Sequence, residues 1–423
     1  MTLRANQLAS LAAAIERVRR FDVPADSGLR AFFRAHPEMG QQDRAFVAEG
    51  VFALLRRMRS LEALAATTEP RKLALAVLVR EFGHSVRELT PLLNSADALW
   101  TAAFKARMHD ALPPAVMHDV PDWLWDRLGA AFGEEERAAL ARAWLSPAPF
   151  DLRVNPLKTS RDTALAALTT ENLAARATPY SPLGIRLGGH PAMEQHAWLA
   201  DGRLEVQDEG SQLLGYAVAP KRSDMVVDFC AGAGGKTLLL GALMRSQGRL
   251  YAFDVVAKRL ANLKPRLARS GLSNVHPQLL SNERDTKVKR LAGKIDRVLV
   301  DAPCTGLGTL RRNPDLKWRY PEKTAAETAI AELTTKQTAI LAAAATLVKP
   351  GGRLVYATCS VLPEENQDIV AAFLKLHGDF FRTSVAPELA RANIALDTGP
   401  VLQLLPHRHG CDGFFAAALE RHK

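Results

Sequence analysis

The chain has none of the long apolar runs that would carry it into a membrane. Its hydrophobic stretches are broken by Arg, Lys or Asp well short of the about 20 residues that a spanning helix needs. Met1-Thr2-Leu3-Arg4 also lacks the charged-then-apolar build of a signal peptide. Both features lead to the expectation of a cytoplasmic protein. Cysteine is scarce: four in 423 residues cannot make a disulfide framework in that compartment. No Cys-x-x-Cys pair occurs and the 11 histidines are scattered, so no metal site is expected. Internal repeats and low-complexity tracts are missing too. The few thiols are therefore either buried or reactive.

What is present is positive charge. The formal net charge is +10, a surplus that favours a polyanionic partner, most often nucleic acid, over a merely solvated basic surface. Hydrophobic residues at 48% and charged residues at 24% are ordinary for a globular chain. The length allows two or three domains, each with its own core.

Apolar residues recur every three or four positions from Asn6 to about Leu145, which predicts an all-α first domain over residues 1–147. In its segment 43–57, Val47, Val51, Leu54 and Leu55 share one stripe, and Arg44, Arg56 and Arg57 lie off it. Those arginines read as a solvated face or, less simply, as an RNA contact. Pro147-Ala148-Pro149 marks a boundary. Residues 148–218 read as a small α+β element: a strand ending in the basic turn of Arg153-Val154-Asn155-Pro156-Leu157-Lys158, a helix over 161–168, and a loop from Ser181 to Pro191. From 219 to 423, strand-like runs at 225–229, 250–254, 275–279, 298–300 and 354–357 alternate with helical stretches at 236–245, 256–270, 324–348 and 364–376. That alternation predicts an α/β fold with a doubly wound, Rossmann-like sheet, which binds ligands at the carboxyl ends of its strands.

Three motifs fall at such ends. Cys230-Ala231-Gly232-Ala233-Gly234-Gly235-Lys236 follows the strand ending in Asp228. Its glycines let backbone approach a ligand, and the helix start behind them offers unpaired N–H donors. A Walker A loop would need Gly where Cys230 stands, and a dinucleotide fingerprint would need Gly at Thr237. An S-adenosylmethionine loop remains. Asp254, closing the second strand, is placed to accept the ribose hydroxyls, and equally to cap the next helix. Lys236 sits at the loop mouth.

The other two motifs are Asp301-Ala302-Pro303-Cys304 and Thr358-Cys359-Ser360. A lone strand-end cysteine is commonly a small core hydrophobe. Here Pro363-Glu364-Glu365 reads as a helix start just beyond Cys359, an arrangement that lowers a thiol pKa from roughly 8.5. Pro303 stiffens the turn that carries Asp301 and Cys304. Cys411 reads as structural.

In these motifs, with Arg311-Arg312-Asn313-Pro314-Asp315-Leu316-Lys317-Trp318 and Asp412-Gly413-Phe414-Phe415, residues 225–420 resemble the RsmB/Sun-type RNA cytosine-5 methyltransferases. Residues 150–215 resemble that family's RNA-binding segment, and the first domain resembles the NusB-like domain of its RsmB branch. The resemblance implies S-adenosylmethionine as cofactor and RNA as partner, rRNA before tRNA, with Cys359 as nucleophile. Cys304 then assists release and Asp301 holds the cytosine edge. A monomer is expected. Two positions depart from the family pattern: Gly232-Ala233 replaces Ala-Pro, and Ser281-Asn282-Glu283 replaces an adenine-contacting Asp, a role Asn282 can fill through its side-chain oxygen. The competing readings are a non-catalytic RNA-binding assembly factor and an NAD-dependent oxidoreductase.

Overall fold

The computed structural model describes residues 3–189, 191–193, 195–320 and 322–423. Two compact units emerge, Met1–Pro147 with Thr309–Glu327 and Ala148–Gly308 with Thr328–Lys423.

The first unit is helical, from Ala5–Val18 to Glu134–Trp144. Its core gathers Leu8, Leu11, Ile15, Val47, Val51, Leu54, Leu55 and Phe104 with the apolar helix Pro70–Arg80. The arginines off the stripe are occupied within the unit. Arg57 pairs with Glu81 at 2.7 Å, Arg44 donates to the Met39 carbonyl at 2.9 Å, and Arg56 donates to the Arg311 carbonyl at 3.3 Å.

Segment 309–327 is built into this unit rather than into the sheet that precedes it in the chain. Trp318 joins the helical core and its Nε1 donates to the Leu55 carbonyl at 2.7 Å. Lys317 is 1% exposed, and its Nζ donates to the carbonyls of Asp119 at 2.6 Å and Arg56 at 2.9 Å. Burial pushes its pKa down to about 7 against the opposing pull of Asp119. The Lys317 ammonium is therefore spent inside the protein.

The second unit contains two sheets. Strands β1 (Phe150–Val154), β2 (Ala175–Ala177), β3 (Gly184–Leu187) and β4 (Leu204–Val206) form an antiparallel sheet in the order β2-β3-β1-β4. Strand β3 lies inside the stretch expected as loop: Ile185 and Leu187 alternate with Arg186, and β1 pairs across it. The helix Arg161–Thr170 packs on this sheet, its first turn capped by Ser160 Oγ, which accepts from Thr163 N–H at 3.1 Å. This small sheet is not a unit of its own.

The larger sheet takes β5 (Met225–Asp228), β6 (Arg249–Asp254), β7 (Val275–Leu279), β8 (Ile295–Asp301), β9 (Val348–Thr358), β10 (Phe380–Thr383), β11 (Leu402–Leu404) and β12 (Phe414–Arg421). Its order is β10-β12-β9-β8-β5-β6-β7, with β11 on β12. Strands β5 to β9 run parallel, and β10 to β12 close the edge antiparallel. Alternate residues enter two cores, Val226, Leu299 and Val355 on one face and Val227, Val298 and Tyr356 on the other. Burial on both faces explains the unbroken apolar runs. Pro277 is tolerated in β7 because that strand is an edge. The helix expected from residue 364 starts at Gln367, behind a single 3-10 turn at Pro363–Glu365. No helix among the described residues is long and apolar enough to cross a membrane.

Candidate active site

The strand order reverses between β5 and β8, because β6 and β7 add on one side of β5 and β8 on the other. At such a switch point the loops diverge and leave a crevice. A cavity of about 530 Å³ lies there, within the range of small-molecule sites.

The glycine-rich loop forms one wall. Gly232 and Gly234 take φ of 57° and 85°, the left-handed region that favours glycine. A Cβ on Gly234 would meet Leu263 Cδ1 at 2.1 Å, so this residue lets the loop close onto the helix Ala257–Ser270. Backbone bonds set the rest: Ala231 N–H donates to the Phe253 carbonyl at 2.8 Å and Phe229 N–H to the Leu299 carbonyl at 2.8 Å. Asp254 holds the loop from β6, its Oδ2 accepting from Gly232 N–H at 2.8 Å and its Oδ1 from Val256 N–H at 2.7 Å. Each oxygen keeps a second lone pair for a ligand hydroxyl.

Two arginines grip the loop carbonyls. Arg153 of β1 is 2% exposed; its Nη1 donates to the Gly235 carbonyl at 2.6 Å and also bonds Gln207. Arg266 donates to the Ala233 carbonyl at 2.7 Å while Glu205 of β4 holds its guanidinium at 2.8 Å. Asn155 Nδ2 reaches the carbonyls of Gly202 at 2.9 Å and Ser270 at 2.8 Å. Arg153 therefore ties the small sheet to the loop, and Asn155 ties it to the end of the helix Ala257–Ser270, instead of either presenting itself at the surface.

Charge is concentrated on the cavity floor. Lys236 Nζ pairs with Asp301 Oδ2 at 2.7 Å. Burial opposes the ammonium, but Asp301, with help from Cys359 and Asp228, raises the Lys236 pKa above its ordinary value. Asp228 accepts from Thr237 Oγ1 at 2.6 Å through Oδ2, and its Oδ1 has no hydrogen-bond partner among the described residues. Burial first, then Asp301 and Asp254, push its pKa up to about 7 against the Thr237 bond. Asp228 lines the cavity, and its buried Oδ1 is left without a partner among the described residues.

The thiols meet at the far end. Asp301 of β8 stands opposite Ala357 of β9, so the turns after both strands open side by side. Cys304 Sγ and Cys359 Sγ lie 3.4 Å apart, unbonded. The contact with Cys359 and then burial raise the Cys304 thiol well above its ordinary pKa. Either sulfur of this pair can be the donor. Burial likewise raises Cys230 and Cys411, and Cys411 is fully enclosed.

Of the residues singled out in the sequence, Cys230, Ala231, Gly232, Ala233, Gly235, Lys236, Asp254, Asp301, Cys304 and Cys359 all line the cavity. Gly234 shapes the loop from behind. Asn282 is not brought in: it is exposed and its Oδ1 is taken by Arg284 N–H at 2.8 Å, while the adjoining Glu283 lines the wall. Sequence reasoning missed Gln207, Ser211, Val255, Val256, Lys336 and Ile340. Val255 and Val256 are 49% and 39% exposed directly after Asp254, which only the structure shows. Lys336 and Ile340 carried no signal in the sequence either. Among the described residues no group of three or more His, Cys, Asp or Glu side chains could hold a metal ion.

Comparison with known proteins agrees with this geometry. The family model for the 16S rRNA methyltransferase RsmB/F matches residues 215–420, and the ferredoxin-like domain of RsmF/B-like methyltransferases matches residues 120–194. A probable ribosomal RNA small subunit methyltransferase B from Synechocystis sp. is 32% identical over 99% of this chain and 100% of its own. A solved structure of PH0851 is similar over the whole of both chains, with TM-score 0.78 and 23% identity, and so shares the fold. A methyltransferase homolog protein from Pyrococcus horikoshii is 27% identical, with TM-score 0.61 over 73% of this chain and 97% of its own.

Proposed function

The chain belongs to the RsmB/F family of methyltransferases, and on that footing we propose that it methylates carbon 5 of a cytosine in small-subunit ribosomal RNA, using S-adenosylmethionine. The observation that carries this reading is the pair of unbonded thiols 3.4 Å apart in one cavity with the glycine loop and the Asp301–Lys236 pair.

The residues fit the cofactor. At Gly232 the loop presents backbone with no side chain in the way, Asp254 retains lone pairs for ribose hydroxyls, and Asp228 Oδ1 is an unsatisfied acceptor. When bound, S-adenosylmethionine supplies an electrophilic methyl group. The protein's task is to make carbon 5 of cytosine nucleophilic. The Cys359 thiolate adds to carbon 6, the C5=C6 electron pair moves into the ring, and carbon 5 becomes enamine-like. Asp301, held by Lys236, faces the cavity where it can bond the base edge and favour the electron-rich adduct. Loss of the carbon 5 proton then restores the double bond and expels Cys359, whose sulfur accepts a hydrogen bond from Cys304. The target base must be unpaired or flipped out to reach these groups.

Labelled cofactor incubated with unmodified small-subunit rRNA is the direct test, followed by bisulfite mapping of the product. Wild-type protein should transfer label to cytosine. Cys359→Ala should transfer none, and Cys304→Ala should accumulate a covalent protein–RNA adduct on a denaturing gel. Adduct in the Cys304→Ala, Cys359→Ala double variant would overturn the assignment of nucleophile.

A further inference from the structure

Glu365 lies outside the cavity and touches neither thiol, yet it is completely buried at 0% exposure. A carboxylate in that position is costly unless its lone pairs are used. Three bonds use them. Thr305 N–H donates to Oε1 at 2.9 Å, Thr305 Oγ1 to Oε2 at 2.6 Å, and Gln337 Nε2 to Oε1 at 3.0 Å. The same Gln337 amide also donates to the Pro303 carbonyl at 2.9 Å. Pro303 and Thr305 flank Cys304, so one buried carboxylate fixes both sides of that cysteine. Glu365 is itself anchored, because the Tyr356 hydroxyl on β9 donates to its carbonyl at 2.7 Å. Thr305 Oγ1 lies 3.3 Å from Ser360 Oγ, beside Cys359, which ties the two thiol-bearing turns together.

We propose that Glu365 is a positioning residue for the release half of the reaction: it clamps the Pro303–Thr305 turn so that the Cys304 thiol points at the Cys359 sulfur. The proposal rests on the cytosine-5 reading above. In that half-reaction the bond between carbon 6 and Cys359 sulfur breaks and its electron pair returns to the sulfur, which takes the Cys304 proton or its hydrogen bond. The carbon 5 proton passes to water. The negative charge of Glu365 also works in this direction, adding to the Cys359 contact and to burial in keeping the Cys304 thiol protonated. All three carboxylate bonds go to Thr305 and Gln337 on the Cys304 side, so loss of Glu365 acts on release before adduct formation.

Single-turnover reactions with S-adenosylmethionine and an unmodified rRNA transcript separate the two halves when adduct is quantified over time on denaturing gels. Glu365→Ala should form adduct at the wild-type rate and release it about tenfold or more slowly, the scale of lost hydrogen bonds to a charged group. Glu365→Gln keeps an acceptor for Thr305 N–H and should recover most of the release rate, a rescue that a general loss of packing would not give. Release at the wild-type rate by a folded Glu365→Ala would overturn the proposal. Should Glu365→Ala fail to fold, Thr305→Val decides: it removes one of the three bonds, and release as fast as wild type overturns the proposal while slower release supports it. Cys304→Ala runs in parallel. If that variant traps no adduct, the cytosine-5 reading itself has failed, an outcome distinct from normal release by Glu365→Ala beside a trapped Cys304→Ala.

Discussion

Asp228 carries the clearest signature of cost in the site, since a carboxyl enclosed at 1% exposure accepts a single hydrogen bond from the protein. Its pKa rises from 3.8 to about 7, chiefly through burial. Below pH about 4 the group is protonated in folded and unfolded chains alike and contributes nothing. As pH climbs towards 7 the unfolded chain ionises while the folded one resists, so folding is penalised progressively, and above 7 the penalty levels off. Asp228→Asn keeps an acceptor for Thr237 and removes the penalty. Its stability advantage over wild type should open above pH about 4 and level off above about 7, at up to about 4 kcal/mol. Urea midpoints measured across that range check it, and an advantage independent of pH would contradict it. Residue identity was legible where chemistry restricts it, and the fold brings Cys304, Cys359, Asp301 and the glycine loop to one cavity. Between Asn282 and Glu283 the sequence is silent, because one step along an exposed turn decides that Glu283 and not Asn282 lines the cavity, and composition does not encode that step.

At the level of elements, the loop is held by strands that the sequence assigns to another task. Arg153 and Gln207 read as parts of an RNA-facing segment, whereas β1 turns Arg153 inward, where it donates to the Gly235 carbonyl and to Gln207 just after β4. A buried arginine looks the same in sequence as a surface one, and only the pairing of β1 with β4 reveals which it is. Arg153 loses its charge-stabilising water, burial pulling its pKa down to about 10 with Glu205 opposing. Its value therefore lies in the bonds it makes. Arg153→Met should free the loop carbonyl and weaken cofactor binding by about tenfold, as expected for a lost charge-assisted bond. Titration calorimetry with S-adenosylhomocysteine measures this, and Arg153→Lys should fall between the two. Because Arg153 is 2% exposed, RNA affinity by filter binding should not change. A loss of RNA affinity with cofactor binding intact would assign Arg153 to the nucleic acid instead.

Across the whole molecule, alternating strand and helix signals made the parallel sheet legible, because a sheet buried on both faces must be continuously apolar. The short antiparallel strands were not, since three- and four-residue strands such as Ala175–Ala177 and Gly184–Leu187 rest on pairing rather than on local pattern. Least legible was segment 309–327, whose partners lie more than 190 residues away in the chain: Trp318 bonds Leu55 and Lys317 bonds Arg56 and Asp119. Its place in the helical core gives it a structural duty. Trp318 is 7% exposed in that core, so Trp318→Ala removes a large buried side chain and strands the Leu55 carbonyl. The helical unit should lose about 3–5 kcal/mol, visible as a lower first transition in calorimetry. The cavity is lined wholly by residues of the other unit, so affinity for S-adenosylhomocysteine, measured below that transition, should hold at the wild-type value. Equal loss of both would mean that the segment serves the cavity as well as the helical core.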